Sequence, residues 1–159
     1  MTERREHSYG CWPSSLTAEG VNLDSGEVNF LRADSNGVCF VNSVNGEKDK
    51  QAVWHLSSQG ELNQLSPIRF NVRSRVHEYG GVPYCVHDNI LWFCNLADQA
   101  IYTQELSVDR KPLPADLAEA KAFTPVEPSI AGKVRYADFL IDPNFNRLIG
   151  VREDHRLSE

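Results

Sequence analysis

"FVNSVNGEKDKQAVWHL" (residues 40–56) and "FCNLADQAIYTQEL" (residues 93–106) are two versions of one pattern, and reading them together decides the fold. Phe40 falls on Phe93, and Asn42 falls on Asn95. Beyond a turn that is shorter in the second copy, Gln51 and Ala52 fall on Gln99 and Ala100, Trp54 on Tyr102, and Leu65 on Leu113. A change of length between strands is what surface turns tolerate. Shared residues at a fixed period mark a repeat architecture.

Each copy reads as four short strands. In the first, "VNFLRA" is followed by Ser35-Asn36-Gly37 and then "VCFVNS", and Asn-Gly between apolar runs is a strong hairpin signal. Asn45-Gly46 makes the next turn, before "KQAVWHL", whose Ala52, Trp54 and Leu56 alternate with their neighbours. "ELNQL" closes the unit. The second copy runs "RVHEYGGVPYCV" (75–86), a turn at Asp88-Asn89, "ILWFCNL", a turn near Ala97-Asp98, "AIYTQEL" and "KPLP". A third copy begins with "VRYADFLIDPNFNRLIGVRED" (134–154), two strands about an Asp142-Pro143-Asn144 turn. Helical periodicity is poor, and "ADLAEAKAF" (115–123) is the one plausible helical turn, placed in a connection.

Four-stranded antiparallel units repeating at roughly 40–50 residues predict a β-propeller. A β-sandwich also accommodates many short strands with regular turns. The copies share residue identities as well as spacing, which favours the propeller. The expected fold is therefore all-β: a partial β-propeller of about two and a half four-stranded antiparallel blades, where closure takes about four or more. The expected boundaries are an N-terminal arm over 1–27, blade one over 28–67, blade two over 75–114, a connection over 115–133 and the start of blade three over 134–159. The half-blade leaves an exposed sheet edge.

Bulk properties narrow the function. The chain has 159 residues, 41% of them hydrophobic and 24% charged, in keeping with a globular protein rather than a disordered one. A net charge of -6 with no basic stripe argues against a nucleic-acid partner. The longest apolar run, Ile90 to Cys94, is far too short to span a membrane, and the start has no apolar core of a secretory signal. Cys11, Cys39, Cys85 and Cys94 show no C-x-x-C spacing and read as half-buried strand thiols. The expected compartment is the cytoplasm.

The segments "YGCWPSSLTAE", "VRSRVHEYGGVPYCV", "LWFCNLADQAIYTQEL", "RYADF" and "VREDH", in this order, resemble the N-terminal propeller of serine peptidases of the prolyl oligopeptidase family, in the acylaminoacyl-peptidase and dipeptidyl-aminopeptidase-like branch. The resemblance implies a two-domain enzyme in which the propeller restricts access to a separate α/β-hydrolase domain that carries the Ser, Asp and His of the triad. It makes this chain a truncated, substrate-gating propeller piece lacking that domain. Val82-Pro83 depart from the family, which usually continues HEYGG with another glycine and a small residue. Proline donates no hydrogen bond, so a bulge or break in the strand is expected at Pro83.

The residues do not favour catalysis by the chain itself. No G-x-S-x-G nucleophile elbow occurs in it, so no catalytic residue is assigned. His77-Glu78 begins like H-E-x-x-H, but position 81 is glycine. Glu153, Asp154 and His155 would alternate faces in a strand and could not all hold one ion, so no metal and no cofactor is expected. Read as the innermost strand of blade two, 75–86 would put Arg75, His77 and Tyr79 on one face and Val76 and Glu78 on the other. Arg75, His77, Glu78 and Tyr79, with Arg135, Tyr136 and Asp138 of the next blade, are the residues expected to line a channel or touch substrate. The alternative for the charged ones is ion pairing between blades, with Gly80-Gly81 allowing close packing. Trp54, Tyr102, Trp92, Phe40, Phe93 and Phe139 read as core between blades, and Trp12 as packing for the arm.

Peptide is the expected partner only within a complete enzyme. The rival reading is a stand-alone interaction module that forms a homo-oligomer through its open sheet edges. A small-molecule-binding, lectin-like propeller piece is a third reading and needs Tyr79 and Tyr136 exposed.

Overall fold

In the computed structural model, Ser8 and residues 28–44, 47–114 and 119–156 are described. Ten strands follow one another among them, and none of these residues is helical. Sheet one is β1 (Asn29–Asp34), β2 (Gly37–Val44), β3 (Glu47–Ser57) and β4 (Leu62–Gln64), paired in chain order and antiparallel. Sheet two is β5 (Tyr84–His87), β6 (Ile90–Cys94), β7 (Ile101–Glu105) and β8 (Lys121–Ala122), again a simple meander. The hairpin of β9 (Val134–Asp142) and β10 (Arg147–Asp154) is the two-stranded third sheet.

The repeat is visible in register. Phe40 pairs with Trp54 across β2 and β3, and Phe93 pairs with Tyr102 across β6 and β7. Asn42 pairs with Ala52, and the Asn95 amide donates to the Ala100 carbonyl at 3.0 Å. These four matched pairs thus occupy matching positions, whereas Gln99 precedes β7 and Leu113 lies in no strand, so the Gln51–Gln99 and Leu65–Leu113 matches do not extend to the ladders. The hairpin turns follow their chemistry. Asp88 and Asn89 both take positive φ, 44° and 59°, as a tight two-residue β turn requires. Asp34 Oδ1 accepts from the Asn36 amide at 2.8 Å and starts the first turn. Gly37, at φ 144°, has no room for a side chain, since a Cβ would stand 2.2 Å from the Leu56 carbonyl oxygen. The expected Asn45-Gly46 turn and Trp12 lie outside the described residues.

Two expectations are corrected. The fourth strand of sheet two is Lys121–Ala122, not "KPLP", where Pro112 makes only an isolated bridge with Leu106. Proline cannot sustain a ladder, so the chain loops out and returns to β7 later. Lys121 and Ala122 are accordingly extended and lie outside any helical turn over 115–123; residues 115–118 of that stretch are outside the described residues.

The larger correction concerns 75–86. Only Tyr84–His87 is strand, and residues 76–79 form a turn. His77 and Glu78 take φ of 57° and 62°, and the Gly80 amide donates back to the Val76 carbonyl at 2.8 Å. The left-handed backbone at His77 and Glu78 takes the chain out of the extended conformation that a ladder needs. Burial alternates as far as Val76, which is fully buried, and then fails, because Glu78 is exposed like its neighbours. The break expected at Pro83 is present: the strand starts one residue after it, and the Pro83 carbonyl accepts from the Cys94 amide at 2.8 Å.

Two apolar clusters hold the sheets together. The first joins sheet one to sheet two through Val41, Val53 and Leu65 on one side and Tyr84, Leu91 and Phe93 on the other. Phe70 and Val72, from the link between the sheets, fill the gap. Phe70, Phe93 and Tyr102 form an aromatic trio with centroids 4.6–5.8 Å apart. The second cluster, Cys85, Cys94, Ile101 and Phe139 with Trp92 and Tyr136 against it, joins sheet two to β9. The aromatic expectation holds for Phe93, Phe139, Tyr102 and Trp92; Phe40 and Trp54 are only half-buried and stand outside both clusters. Cys39, Cys85 and Cys94 are buried rather than half-buried.

Candidate contact site at the 75–79 turn

The turn that replaces the expected strand is held from three sides. From sheet two, Gln99, which has no exposed surface, accepts from the Arg75 amide at 2.7 Å and donates to the Leu96 carbonyl at 3.1 Å. From β9, Arg135 Nη1 donates to the Arg75 carbonyl at 3.0 Å and to Glu78 Oε1 at 2.5 Å, while its Nε donates to the Gly132 carbonyl at 3.3 Å. From β10, Glu153 Oε1 accepts from the His77 amide at 2.8 Å and lies 3.1 Å from His77 Nδ1. Its second oxygen is 3.1 Å from Nε2 of His155. Two consecutive left-handed residues without glycine are costly, and such a backbone persists only when its surroundings over-determine it.

Electrostatics matches the geometry. The hydrogen bond and charge of Arg135 hold the Glu78 carboxyl below the usual value. The His77 amide and the His155 ring do the same for Glu153. Next to it, Asp154 faces Arg152 and Arg156 instead and is also lowered, chiefly by Arg156.

Each expected site residue can now be placed. Arg75, His77 and Glu78 are exposed on the turn, and Tyr79 is 96% exposed at its tip. Arg135 is half-buried beneath them, and together Arg75, Glu78, Tyr79 and Arg135 border a groove of about 350 Å³. Tyr136 is not part of this group: its side chain packs on the second apolar cluster, and its carbonyl accepts from the Ser74 hydroxyl at 2.8 Å. Asp138 is an anchor. Its amide donates to the Val82 carbonyl and its carboxylate accepts from the Val82 amide, at 2.8 and 2.9 Å. Gly81 fits beside it because a Cβ there would stand 2.7 Å from the Ala137 side chain. The predicted close packing at this glycine is therefore observed, and among the charged residues expected to pair, Glu78 pairs with Arg135, between the turn and β9.

Sequence reasoning missed Gln99, Glu153 and His155 as members of this cluster. Gln99 stood in the repeat, but a lone glutamine gives no sign of being buried. Glu153, in β10, and His155, just past its end, are two residues apart, and that spacing in an extended chain is the available signal. Among the described residues, no group of three His, Cys, Asp or Glu side chains is placed to hold a metal. The Ser74 hydroxyl already donates to the Tyr136 carbonyl and accepts from the Val76 amide. The site displays charge and a phenol and can recognise a polar partner; it presents no activated nucleophile.

No family model and no curated protein matches this sequence. Solved structures do. A puromycin-hydrolysing peptidase of Mycobacterium tuberculosis is 27% identical over 94% of this chain, with a TM-score of 0.67, and the match spans 22% of that peptidase. The chain is similar to prolyl oligopeptidase-family peptidases. Puromycin hydrolase is 26% identical over 89% of this chain, with a TM-score of 0.64, and its serine-to-alanine variant in complex with PGG gives 0.65. This chain spans about a fifth of the length of these peptidases. The resemblance read from the ordered segments is thereby borne out at the level of the prolyl oligopeptidase family. Among the described residues no helix is long and apolar enough to cross a membrane.

Proposed function

We propose that these residues form the substrate-gating, non-catalytic propeller portion of a serine oligopeptidase, cytoplasmic and of the acylaminoacyl-peptidase-like branch. In this reading the two four-stranded sheets are blades one and two, and β9–β10 begins blade three. The observation that carries it is the match over 94% of the chain to a peptidase of which it spans 22%, in a stretch without a nucleophile elbow. The over-determined turn supports a contact role for Arg75, His77, Glu78 and Tyr79, with Arg135 holding them in place. Peptide is then the partner of the complete enzyme.

Assay of the purified 159-residue chain against aminoacyl and peptidyl chromogenic substrates tests the non-catalytic part. No turnover is expected; activity that persists through purification to homogeneity overturns it. For the contact role, Tyr79→Ala in the complete enzyme is expected to raise KM with kcat little changed. Unaltered kinetics there would remove the turn from substrate binding.

One observation favours a second reading, self-association through open sheet edges. The β9–β10 sheet has only two strands, so each has an outer edge that no other described strand pairs, and its exposed face carries Leu140 and Ile149, 60% and 44% exposed. Sedimentation at several concentrations separates the two: a strict monomer excludes self-association.

A further inference from the structure

The groove beside the 75–79 turn is cationic, in a chain whose net charge is -6. Arg73, Arg75 and Arg135 border it, and Glu78 is the one carboxylate among its described lining residues. Tyr79 and Leu96 also line it. Glu78 pairs with Arg135. The guanidinium groups of Arg73 and Arg75 have no ion-pair or hydrogen-bond partner among the described residues. Two uncompensated positive charges therefore face one groove.

One buried side chain fixes where these arginines stand. Val72, Ser74 and Val76 are buried while Arg73 and Arg75 are exposed, so both arginines leave the same side of the stretch. Gln99, which has no exposed surface, holds that stretch from below. Its Oε1 accepts from the Arg75 amide at 2.7 Å, and its Nε2 donates to the Arg73 carbonyl at 3.4 Å and to the Leu96 carbonyl at 3.1 Å. The Arg73 amide donates to the Cys94 carbonyl at 3.2 Å, and Arg135 Nη1 donates to the Arg75 carbonyl at 3.0 Å. The backbone under both free guanidinium groups is thus tied on its donor side and on its acceptor side. A binding group carried on a fixed backbone loses less freedom when a ligand arrives.

A guanidinium group is a planar fork of donors that matches a carboxylate with two parallel hydrogen bonds and repels an ammonium. A peptide offers an ammonium at one end and a carboxylate at the other. The rings and methyl groups of Tyr79, 96% exposed, and Leu96 give the apolar surface against which the body of a peptide can lie. The groove, at about 350 Å³, has the volume of a small-molecule site. The geometry points to a carboxylate subsite: Arg73 and Arg75, seated on Gln99, bind the carboxylate of a peptide and so set which way it lies along the turn. This rests on the reading of peptide as the partner.

The test is peptide binding to the 159-residue chain, followed by NMR at the Tyr79 ring and the Arg73 and Arg75 amides at neutral pH and constant ionic strength. The probes are N-acetyl-trialanine with a free carboxylate, its C-terminal amide, and N-acetyl-Ala-Asp-Ala amide, whose carboxylate is on a side chain. The free-carboxylate peptide should shift these signals saturably and bind at least about fivefold more tightly than the amide. The aspartyl peptide supports the subsite in either case: matching trialanine admits side-chain carboxylates, and matching the amide restricts the site to a C-terminus. Arg73→Gln and Arg75→Gln should each weaken the free-carboxylate peptide by about fivefold, and Arg75→Lys should recover only part of that loss. Neither glutamine variant should alter amide exchange at Gly80, because Arg75 joins the turn through its backbone. Equal affinity for trialanine and its amide would overturn the carboxylate subsite and leave peptide as the partner. Binding of none of the three would overturn both. Tighter binding of inorganic phosphate than of trialanine would give the groove to another anion and overturn the proposal.

Discussion

Arg135 on β9 and Glu78 on the 76–79 turn form a 2.5 Å ion pair, and the same guanidinium group holds the Arg75 carbonyl. Glu78 is largely solvent-exposed while Arg135 is half-buried, so the arginine positions the turn and the glutamate is the part offered to solvent. Glu78→Gln should leave the turn in place. Arg135→Met removes three hydrogen bonds at once and should speed amide exchange at Glu78 and Gly80 well above the wild-type rate. Equal exchange in both variants would show that the turn is held by Gln99 and Glu153 alone.

Acid should loosen the same turn. Glu153 and Glu78 are both lowered from 4.5 in the folded state, so each contributes stability that is complete above about 4.5 and lost as pH falls toward its folded value. Urea midpoints measured between pH 6 and pH 3 should fall on the acid side, and Glu153→Gln should flatten that fall. A steeper fall in the variant would reverse the sign and refute the assignment.

Close approach rather than flexibility is the requirement at Gly81. A methyl group there would meet Ala137 Cβ at 2.7 Å and the Asp138 carboxylate at 2.9 Å. Gly81→Ala should cost about 1–3 kcal/mol by chemical denaturation. Adding Ala137→Gly should recover part of that loss, and full additivity of the two changes would argue against the contact.

Phe93 has no exposed surface and packs on Phe70 and Tyr102. Phe93→Ala should cost about 3–5 kcal/mol, a large share of the roughly 5–15 kcal/mol that keeps an ordinary domain folded. Phe40→Ala, at the matching ladder position but only half-buried, should cost clearly less. Equal losses would contradict the asymmetry between the two copies.

The thiols of Cys39, Cys85 and Cys94 should be inert while the chain is folded. Burial pushes Cys39 up to about 11 and Cys85 and Cys94 up to about 12. Little thiolate then exists at pH 8, and access is closed as well. Iodoacetamide followed by peptide mass spectrometry should label all three only after denaturant is added. Rapid native labelling of any of them would mean that its sheet opens locally.

Strand order, hairpin turns and the register of the two copies were legible in the sequence, because local chemistry dictates them. Asn-Gly and Asp-Asn pairs demand tight turns, alternation selects a buried face, and the shared Phe, Asn and Ala positions lock one copy onto the other. The segment 75–79 was legible only as polar. Val76 within it and Tyr84 beyond it are apolar at strand spacing, so alternation alone reads it as strand. What turns it is tertiary: Gln99, Arg135 and Glu153 arrive from three different strands or loops and satisfy the backbone that a ladder would otherwise use. The fourth strand of sheet two was hidden for the same reason, since Lys121 and Ala122 have no strand propensity of their own and are extended only because β7 offers an edge. Local patterns thus determined the sheets, while the burial of Gln99 and the pairing of Glu78 with Arg135 were decided by residues far apart in the chain, whose meeting only packing could settle.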